Sequence, residues 1–399
     1  MTMISRIQQI LLLIRVNLLS IPRRLAISLS MAISVALVVC VLAGFLAMAK
    51  GFETALIGTG SPTVAVMLGG GTNQEMGSQI PATIVRAVKT ATTDIGVTRT
   101  PEGNTILSRE LVVPVDIARK HEGALQTVSL RGMDVAGISM RDGLRLTGGQ
   151  LFALGSRELM LGDALARKLG YTVGDVVRIG SLDWRISGQF ATQSSVFESE
   201  IWAAIEAVQM AFRRQGEVQS LRLRLVDPAS LSALEQYAST MAQTPLVLVT
   251  EAELYASQAG GTADLIRLFG WPLAGLMAVG ATAGALNTMM SSVSDRTVEI
   301  ATVRALGFGR GAAFFATWVE ACALAGAGAT VGIVVSWMGL NGLEASTLGV
   351  NQTQIMFQLT TDAEVMALAV ALGFAIGAIG GAAPAFMATR LPIAAALRS

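Results

Sequence analysis

Charged side chains are scarce in this sequence, 14% of 399 residues, where an ordinary soluble domain carries about 25%. The 29 Lys and Arg almost cancel the 28 Asp and Glu, which excludes the basic surface that a nucleic-acid partner needs. Histidine occurs once, as His121 in "ARKHEG". An H-E-x-x-H metal site is therefore impossible, and no second ligand stands nearby at metal spacing. The two cysteines, Cys40 and Cys322, both fall in apolar runs. They make no disulfide framework and read as small core or lipid-facing residues. No G-x-S-x-G occurs, and the glycine clusters "GGGTN" (69–73) and "LTGGQ" lack the Lys-Ser/Thr of a phosphate loop. The chain thus carries no nucleophile–base pair, no metal set and no ATP site. It reads as a non-enzyme without a cofactor of its own, and active transport would need energy from another subunit.

Long apolar runs are what the sequence has instead. Four of them, 25–49, 268–294, 311–343 and 365–389, are long enough to cross a bilayer, which takes about 20 residues. The first, 25 residues long, exceeds the roughly 7–15 residues of a signal-peptide core, so it reads as a span that stays. Basic residues set the orientation. Arg6, Arg15, Arg23 and Arg24 precede the first span, Arg296, Arg304 and Arg310 follow the second, and Arg390 and Arg398 end the chain, whereas the loop 344–364 has no Lys or Arg. Both termini and the loop 295–310 are therefore expected in the cytoplasm, with 51–264 and 344–364 outside. Residues 1–24 carry apolar residues at helical spacing and read as a cytoplasmic amphipathic helix lying in the interface. Pro22 and the Arg23–Arg24 pair separate it from the first span.

The segment 51–264 mixes helix and strand signals. "TVAVML", "TVSLRGMD" and "VQSLRLRLVD" read as strands, and "PATIVRAVKTA" and "PASLSALEQYASTMAQ" as helices opened by Pro81 and Pro228. "SRELMLGDALARKLGY" reads as a helix with Leu161, Leu165 and Leu169 on one face, and "FESEIWAAIEAVQMAFRR" as another. "VGDVVRIGSLDWRISGQF" reads as a hairpin turning at "GSLD". The expected fold class is an α-helical membrane protein with four transmembrane helices. A mixed α+β extracytoplasmic domain is inserted between helices 1 and 2.

Between two apolar runs, the second interrupted only by Glu320, stands "SDRTVEIATVRALGFGR" (294–310). At helical spacing Val298, Ile300, Ala301, Val303 and Leu306 form an apolar stripe, with Arg296, Glu299 and Arg304 elsewhere on the wheel. Gly307, Gly309 and Gly311 are expected to break the helix and return the chain to the membrane. Such a helix can dock in a partner's groove or be a plain cytoplasmic turn. Glu320 is the one charge well inside a span, hence a functional candidate. Its structural alternative is a bond to backbone, Arg304 or Arg310.

The stretch "SSVSDRTVEIATVRALGFGRGAAFFATWVEA" resembles the signature of the FtsX-like permeases, the membrane subunits of type VII (MacB/LolCDE-like) ABC transporters. Ser292, Val293, Arg296, Glu299, Ile300, Arg304, Ala305, Leu306 and Gly307 match its pattern. Ala301 replaces a usual glycine. Glu320 matches an intramembrane Glu, and Gly328 and Gly332 follow at the family's spacing. "APAFMATRLPIAAALRS" resembles the family's C-terminal ending, with Ala395 where an acidic residue is common. "ELMLGDALARKLGYTVGDVVRIGSLDWRISGQF" resembles the core of the MacB-type periplasmic domain. The resemblance implies a permease dimer, homo- or heteromeric, with a separate ATP-binding subunit that uses ATP and Mg and docks on Arg296, Glu299, Ile300, Arg304, Leu306 and Gly307. It implies mechanotransmission, in which closure of the ATPase moves the extracytoplasmic domain and drives efflux or extraction of an amphipathic substrate. Membrane lipids are a further partner, and a periplasmic adaptor protein stays open. Two other readings also stay open: a lipoprotein-releasing subunit like LolC or LolE, and an FtsX-like regulator of cell-wall hydrolases. The long external segment and its "GDALARKLG" stretch speak against the regulator.

Overall fold

A computed structural model describes residues 3–92, 94–192, 196–241, 245–349 and 353–390. The ending "LPIAAALRS", with Ala395 and Arg398, lies outside the described residues. The chain opens with α1 (Met3–Ser20), a 3-10 turn at Ile21–Arg24 with Pro22 in its first turn, and α2 (Leu25–Ile57). Then follow β1 (Val64–Gly69), α3 (Ala82–Lys89), β2 (Leu107–Ala118), β3 (Leu125–Met133), α4 (Val135–Ser139), β4 (Arg145–Gly149), β5 (Glu158–Gly162) and α5 (Asp163–Leu169). The hairpin β6 (Val176–Ile179) and β7 (Leu182–Ala191) leads to β8 (Glu200–Ala204), α6 (Ile205–Ala211), β9 (Ser220–Arg224), α7 (Leu231–Met241) and β10 (Leu246–Thr250). The remainder is α8 (Glu251–Asp295), α9 (Thr297–Ala305), α10 (Arg310–Leu340), the hairpin β11 (Glu344–Leu348) and β12 (Gln354–Gln358), and α11 (Ala363–Arg390). These elements form two compact units. One is Met1–Lys50, Asp264–Leu343 and Leu359–Ser399, and the other is Gly51–Ala263 with Glu344–Gln358.

The first unit is helical. Among the described residues four helices are long and apolar enough to cross a membrane, in α2, α8, α10 and α11. The expected fold class therefore stands: four such helices, with a mixed α/β unit between the first and the second. The second apolar run belongs to a longer helix, since α8 begins at Glu251. Met31, Val35, Val39 and Leu42 of α2 pack with Ala321, Ala325 and Ala329 of α10 and Ala369 and Ile376 of α11. Hydrophobicity gives apolar helices no reason to associate within lipid, so close van der Waals packing of small residues must. A methyl group at Gly332 would stand 2.6 Å from the Ala36 carbonyl oxygen, and one at Gly328 would collide with that of Ala32. Gly373, Gly377 and Gly381 meet Ala329, Ala325 and Ala321 in the same way across α10 and α11. The Trp318 indole donates to the Ala378 carbonyl at 2.8 Å and fixes the register of that pair.

The second unit is built on a ten-stranded sheet of order β10-β1-β9-β2-β3-β8-β5-β7-β4, with β6 paired to β7. Most pairs are antiparallel, but β3·β8 and β5·β7 are parallel. The segment 344–364, read from sequence as a loop, contains the β11–β12 hairpin. Two sequence readings need correction. "ELMLG" is a central strand before a short helix, and "EIWAA" is another before α6. Each strand is covered on both faces, so its apolar residues run continuously and show no alternation. Leu161, Leu165 and Leu169 do share one core with Trp184 and Ile201, although Leu161 reaches it from β5.

One face of the sheet buries charge. Arg131 binds Glu200 through two bonds of 2.8 and 2.7 Å, and Glu75 and Glu110 at 2.9 Å each. Arg222 binds Glu110 at 2.7 Å, Glu75 at 2.8 Å and Glu251 at 2.5 Å, and Arg141 adds two bonds of 2.9 Å to Glu110. All seven residues are buried. Glu251 opens α8, where a carboxylate suits the helix dipole. Behind it Thr250 and Glu253 exchange side-chain to backbone bonds of 3.2 and 3.0 Å as a capping box. Burial opposes the charge on Glu75, yet Arg131 and Arg222 outweigh it and hold its carboxyl down at about 2. Burial likewise opposes Glu110, and Arg141, Arg222 and Arg131 hold it well below its usual value. A carboxylate depressed in the folded state stabilises fully above its ordinary value of 4.5 and loses that contribution as the pH falls toward about 2. The thermal unfolding midpoint of the purified protein, followed by tryptophan fluorescence, is expected to drop across that window. A midpoint that stays flat from 4.5 down to about 2 would contradict the network.

Candidate functional site

The site grows from the end of α8. Arg296 stands between α8 and α9, and its side chain turns back into the helical unit. Its Nη2 donates to both Glu320 oxygens at 2.7 and 2.5 Å and to the Ser292 hydroxyl at 3.2 Å, while Nε donates to the Ser292 carbonyl at 3.4 Å. Both charged side chains are only 4% exposed. An isolated charge among apolar helices is costly, so each group is present because the other neutralises it. The sequence reading offered Arg304, Arg310 or backbone as the partner of Glu320, and the structure replaces them with Arg296. The pair ties the α8–α9 junction to the first third of α10.

Beyond Arg296, α9 runs to Ala305 and ends in a Schellman motif. Phe308 N–H donates to the Val303 carbonyl at 3.4 Å and Gly307 N–H to that of Arg304 at 3.1 Å. Gly307 adopts φ +98, which a side chain would disfavour. Of the three glycines expected to break the helix, Gly307 and Gly309 flank the break and Gly311 already belongs to α10. The expected single apolar stripe also divides. Ala301 is buried and Ile300 and Val303 half-buried, with Val303 and Phe308 packed against Leu13 of α1 and Ala312 and Ala316 of α10. Val298 and Leu306 face outward, 49% and 76% exposed, beside exposed Thr302 and Ala305. The reason is local. α1 lies against α9 and α10 and takes one side of the short helix.

Glu299 reaches Arg24 at 3.2 Å, with the carboxylate largely in the open and the guanidinium mostly covered. Arg24 entered the sequence reading as a sign of orientation and as part of the break before the first span; no spacing signal links residues so far apart. Between α1, α9 and the start of α10 lies a cavity of about 310 Å³. Arg24, Arg296, Arg304 and Glu299 line it together with apolar Val16 and Phe308. Arg296, Glu299, Ile300 and Arg304 thus meet at one place, while Leu306 points away from it, Gly307 shapes the end of α9, and Gly328 and Gly332 lie further along α10 against α2. The arrangement has no nucleophile activated by a base. It offers a short helix with one side packed against α1 and α10 and Val298 and Leu306 exposed on the other.

Comparison with known proteins agrees on the class. The family model of the MacB-like periplasmic core domain matches residues 25–240, and that of the FtsX-like permease C-terminal region matches residues 272–393. The macrolide export ATP-binding/permease protein MacB 1 of Aeromonas hydrophila is 25% identical over 284 residues, covering 67% of this chain and 42% of that protein. The chain therefore spans less than half the length of this curated relative. Among solved structures, the periplasmic region of MacB from Actinobacillus actinomycetemcomitans aligns at 12% identity and a TM-score of 0.39, over 50% of this chain and 94% of that one. The extracellular domain of the ABC-type transporter YknZ from Gram-positive bacteria aligns at 13% identity and 0.35, over 47% and 100%.

The buried pair makes a direct prediction. Glu320→Leu or Arg296→Leu alone strands an uncompensated buried charge, which costs roughly 3–5 kcal/mol, and should lower the unfolding midpoint of the detergent-purified protein. The double variant removes both charges and should recover most of that loss. A double variant as unstable as the sum of the singles would show that the two groups do not depend on each other.

Proposed function

For a chain that belongs to the family of permeases with a MacB-like periplasmic core domain and an FtsX-like C-terminal region, we propose the role of membrane subunit of an ABC transporter worked by a separate ATP-binding subunit. ATP and Mg are held by that subunit, and α9 is where it docks. The observation that carries this reading is the split of α9 into two faces. The inner face is fixed by Arg296–Glu320 and by α1, whereas Val298 and Leu306 are left exposed beside Glu299. Apolar residues give such a small interface its affinity and flanking charges its orientation. In this reading the basic residues around α1 and α9 face the cytoplasm and the sheet unit stands outside the inner membrane.

The transporter pairs two permease copies. α8 supports this, because among the described residues nothing beyond the neighbouring backbone of α8 itself lies within 4 Å of where a methyl group would stand at Gly275, Gly280 or Gly284. Leu276 and Val279 on the same helix are exposed. Small residues of this kind let a second helix approach closely. Closure of the ATP-binding subunits displaces α9, the Arg296–Glu320 tie carries the displacement into α10 and α8, and α8 is helical without a break from Asp295 back to Glu251. The resulting movement of the sheet unit drives export or extraction of an amphipathic substrate. The long segment matching a MacB-like core domain supports transport over a role as regulator of cell-wall hydrolases.

Leu306→Asp tests the docking face. A charge in the centre of an apolar contact should reduce copurification of the co-expressed ATP-binding subunit at least about tenfold, roughly 1.4 kcal/mol. Membrane insertion and the thermal midpoint should stay as in the parent, since this side chain is exposed. Wild-type recovery of the complex would remove α9 as the docking element.

A further inference from the structure

The cavity beside α9 has features that docking of an ATP-binding subunit does not use. Its charged lining is three guanidinium groups, Arg24, Arg296 and Arg304, against the single carboxylate of Glu299. Glu320 neutralises Arg296 from behind, and Glu299 is the salt-bridge partner of Arg24. The Nη1 of Arg24 is shut off from solvent and donates to nothing among the described residues, although a buried guanidinium nitrogen ordinarily finds an acceptor. Apart from Asn17, Ser20 and Thr317, the rest of the wall is apolar, from Val16 of α1 through Ile300 and Val303 to Phe308. Basic head and apolar flank lie within one volume of about 310 Å³, the lower end of the roughly 300–1,000 Å³ of small-molecule sites.

The helix that forms one wall points to the source of the occupant. α1 packs Leu13 and, alongside it, Ile10 and Ile14 inward. It leaves Ile7, Leu11, Leu12, Val16 and Leu19 exposed as an apolar stripe at helical spacing. Such a stripe on a helix beside a membrane bundle belongs in the acyl region of one leaflet. Val16 is common to the stripe and to the cavity, so the cavity opens where lipid already lies.

We propose that this cavity is a binding site for one anionic phospholipid of the surrounding leaflet. Its phosphate is received by Arg24 and Arg304, and its acyl chains leave along the α1 stripe past Val16. Arginine suits a phosphate through paired N–H donors. The bound headgroup takes over the acceptor role that Glu299 now fills for Arg24 and wedges α1 against α9, so lipid occupancy holds the docking helix in place. The site stands on the cavity and its charges alone and is independent of which subunit docks on α9.

Native mass spectrometry of the detergent-purified full chain tests it, with phosphatidylglycerol, phosphatidylcholine or inorganic phosphate added. The expected result is one tightly retained phosphatidylglycerol per chain, at least about tenfold preferred over phosphatidylcholine and not displaced by phosphate. Arg24→Gln/Arg304→Gln should abolish the preference. Val16→Trp fills the cavity from a half-exposed position that tolerates bulk, and should abolish retention while the thermal midpoint is unchanged. Equal retention of the two lipids, displacement by inorganic phosphate, or undiminished lipid retention in Val16→Trp would each overturn the proposal. So would a Val16→Trp chain that keeps its lipid but no longer copurifies with the ATP-binding subunit, which would give the cavity to a protein partner.

Discussion

A guanidinium and a carboxylate held at 2.7 Å among apolar helices decide where α9 stands. Arg296 is the residue at which α8 stops and α9 starts, and Glu320 lies buried in α10. Without the pair, the charge on Arg296 would draw the junction out toward water, and Glu320 would be an isolated acid in the bundle. With it, the short helix has one fixed inner face, one free outer face and a glycine stop at Gly307. The cavity, the exposed Val298 and Leu306, and the contact between Glu299 and Arg24 all take their places from that anchor.

The sheet unit solves a related problem by another route. Three arginines and four glutamates converge on one buried face, contributed by β2, β3, β8, β9, the first residue of α8 and the connecting segments that hold Glu75 and Arg141. Forked arginine geometry lets each guanidinium serve two or three carboxylates at once. Glu251 belongs both to this network and to the first turn of α8. Any movement that withdraws the start of α8 from the sheet must therefore break charge-assisted bonds, and smaller displacements must carry the network along. Within the helical unit the glycine and alanine contacts of α2, α10 and α11 give the same kind of stiffness by close backbone approach.

How far the sequence reveals this depends on the range of the interaction. Apolar runs of membrane length, the β6–β7 hairpin around Gly180 and the proline-led α3 and α7 are local, and they are legible. The strands β5 and β8 are not, because full burial replaces alternation by an unbroken apolar run, and the residues after them are good helix formers. Glu320 stands out in sequence as a lone charge, but its partner does not: nearer arginines at 304 and 310 compete on spacing, and only the turn at Arg296 aims a side chain back inward. The seven buried charges of the sheet are invisible singly, since each is an ordinary polar position until β-pairing brings Arg131, Arg222 and Glu110 onto one face.

The mechanism proposed above has displacement of α9 travel through the Arg296–Glu320 tie and along α8 to Glu251. Amide hydrogen exchange of the assembled transporter, compared between nucleotide-free and ATP-bound states, addresses it directly. The account predicts that exchange in α9 (Thr297–Ala305) and in the first turns of α8 beside Glu251 changes together on ATP binding. A change confined to α9, with the start of α8 unaltered, would contradict it.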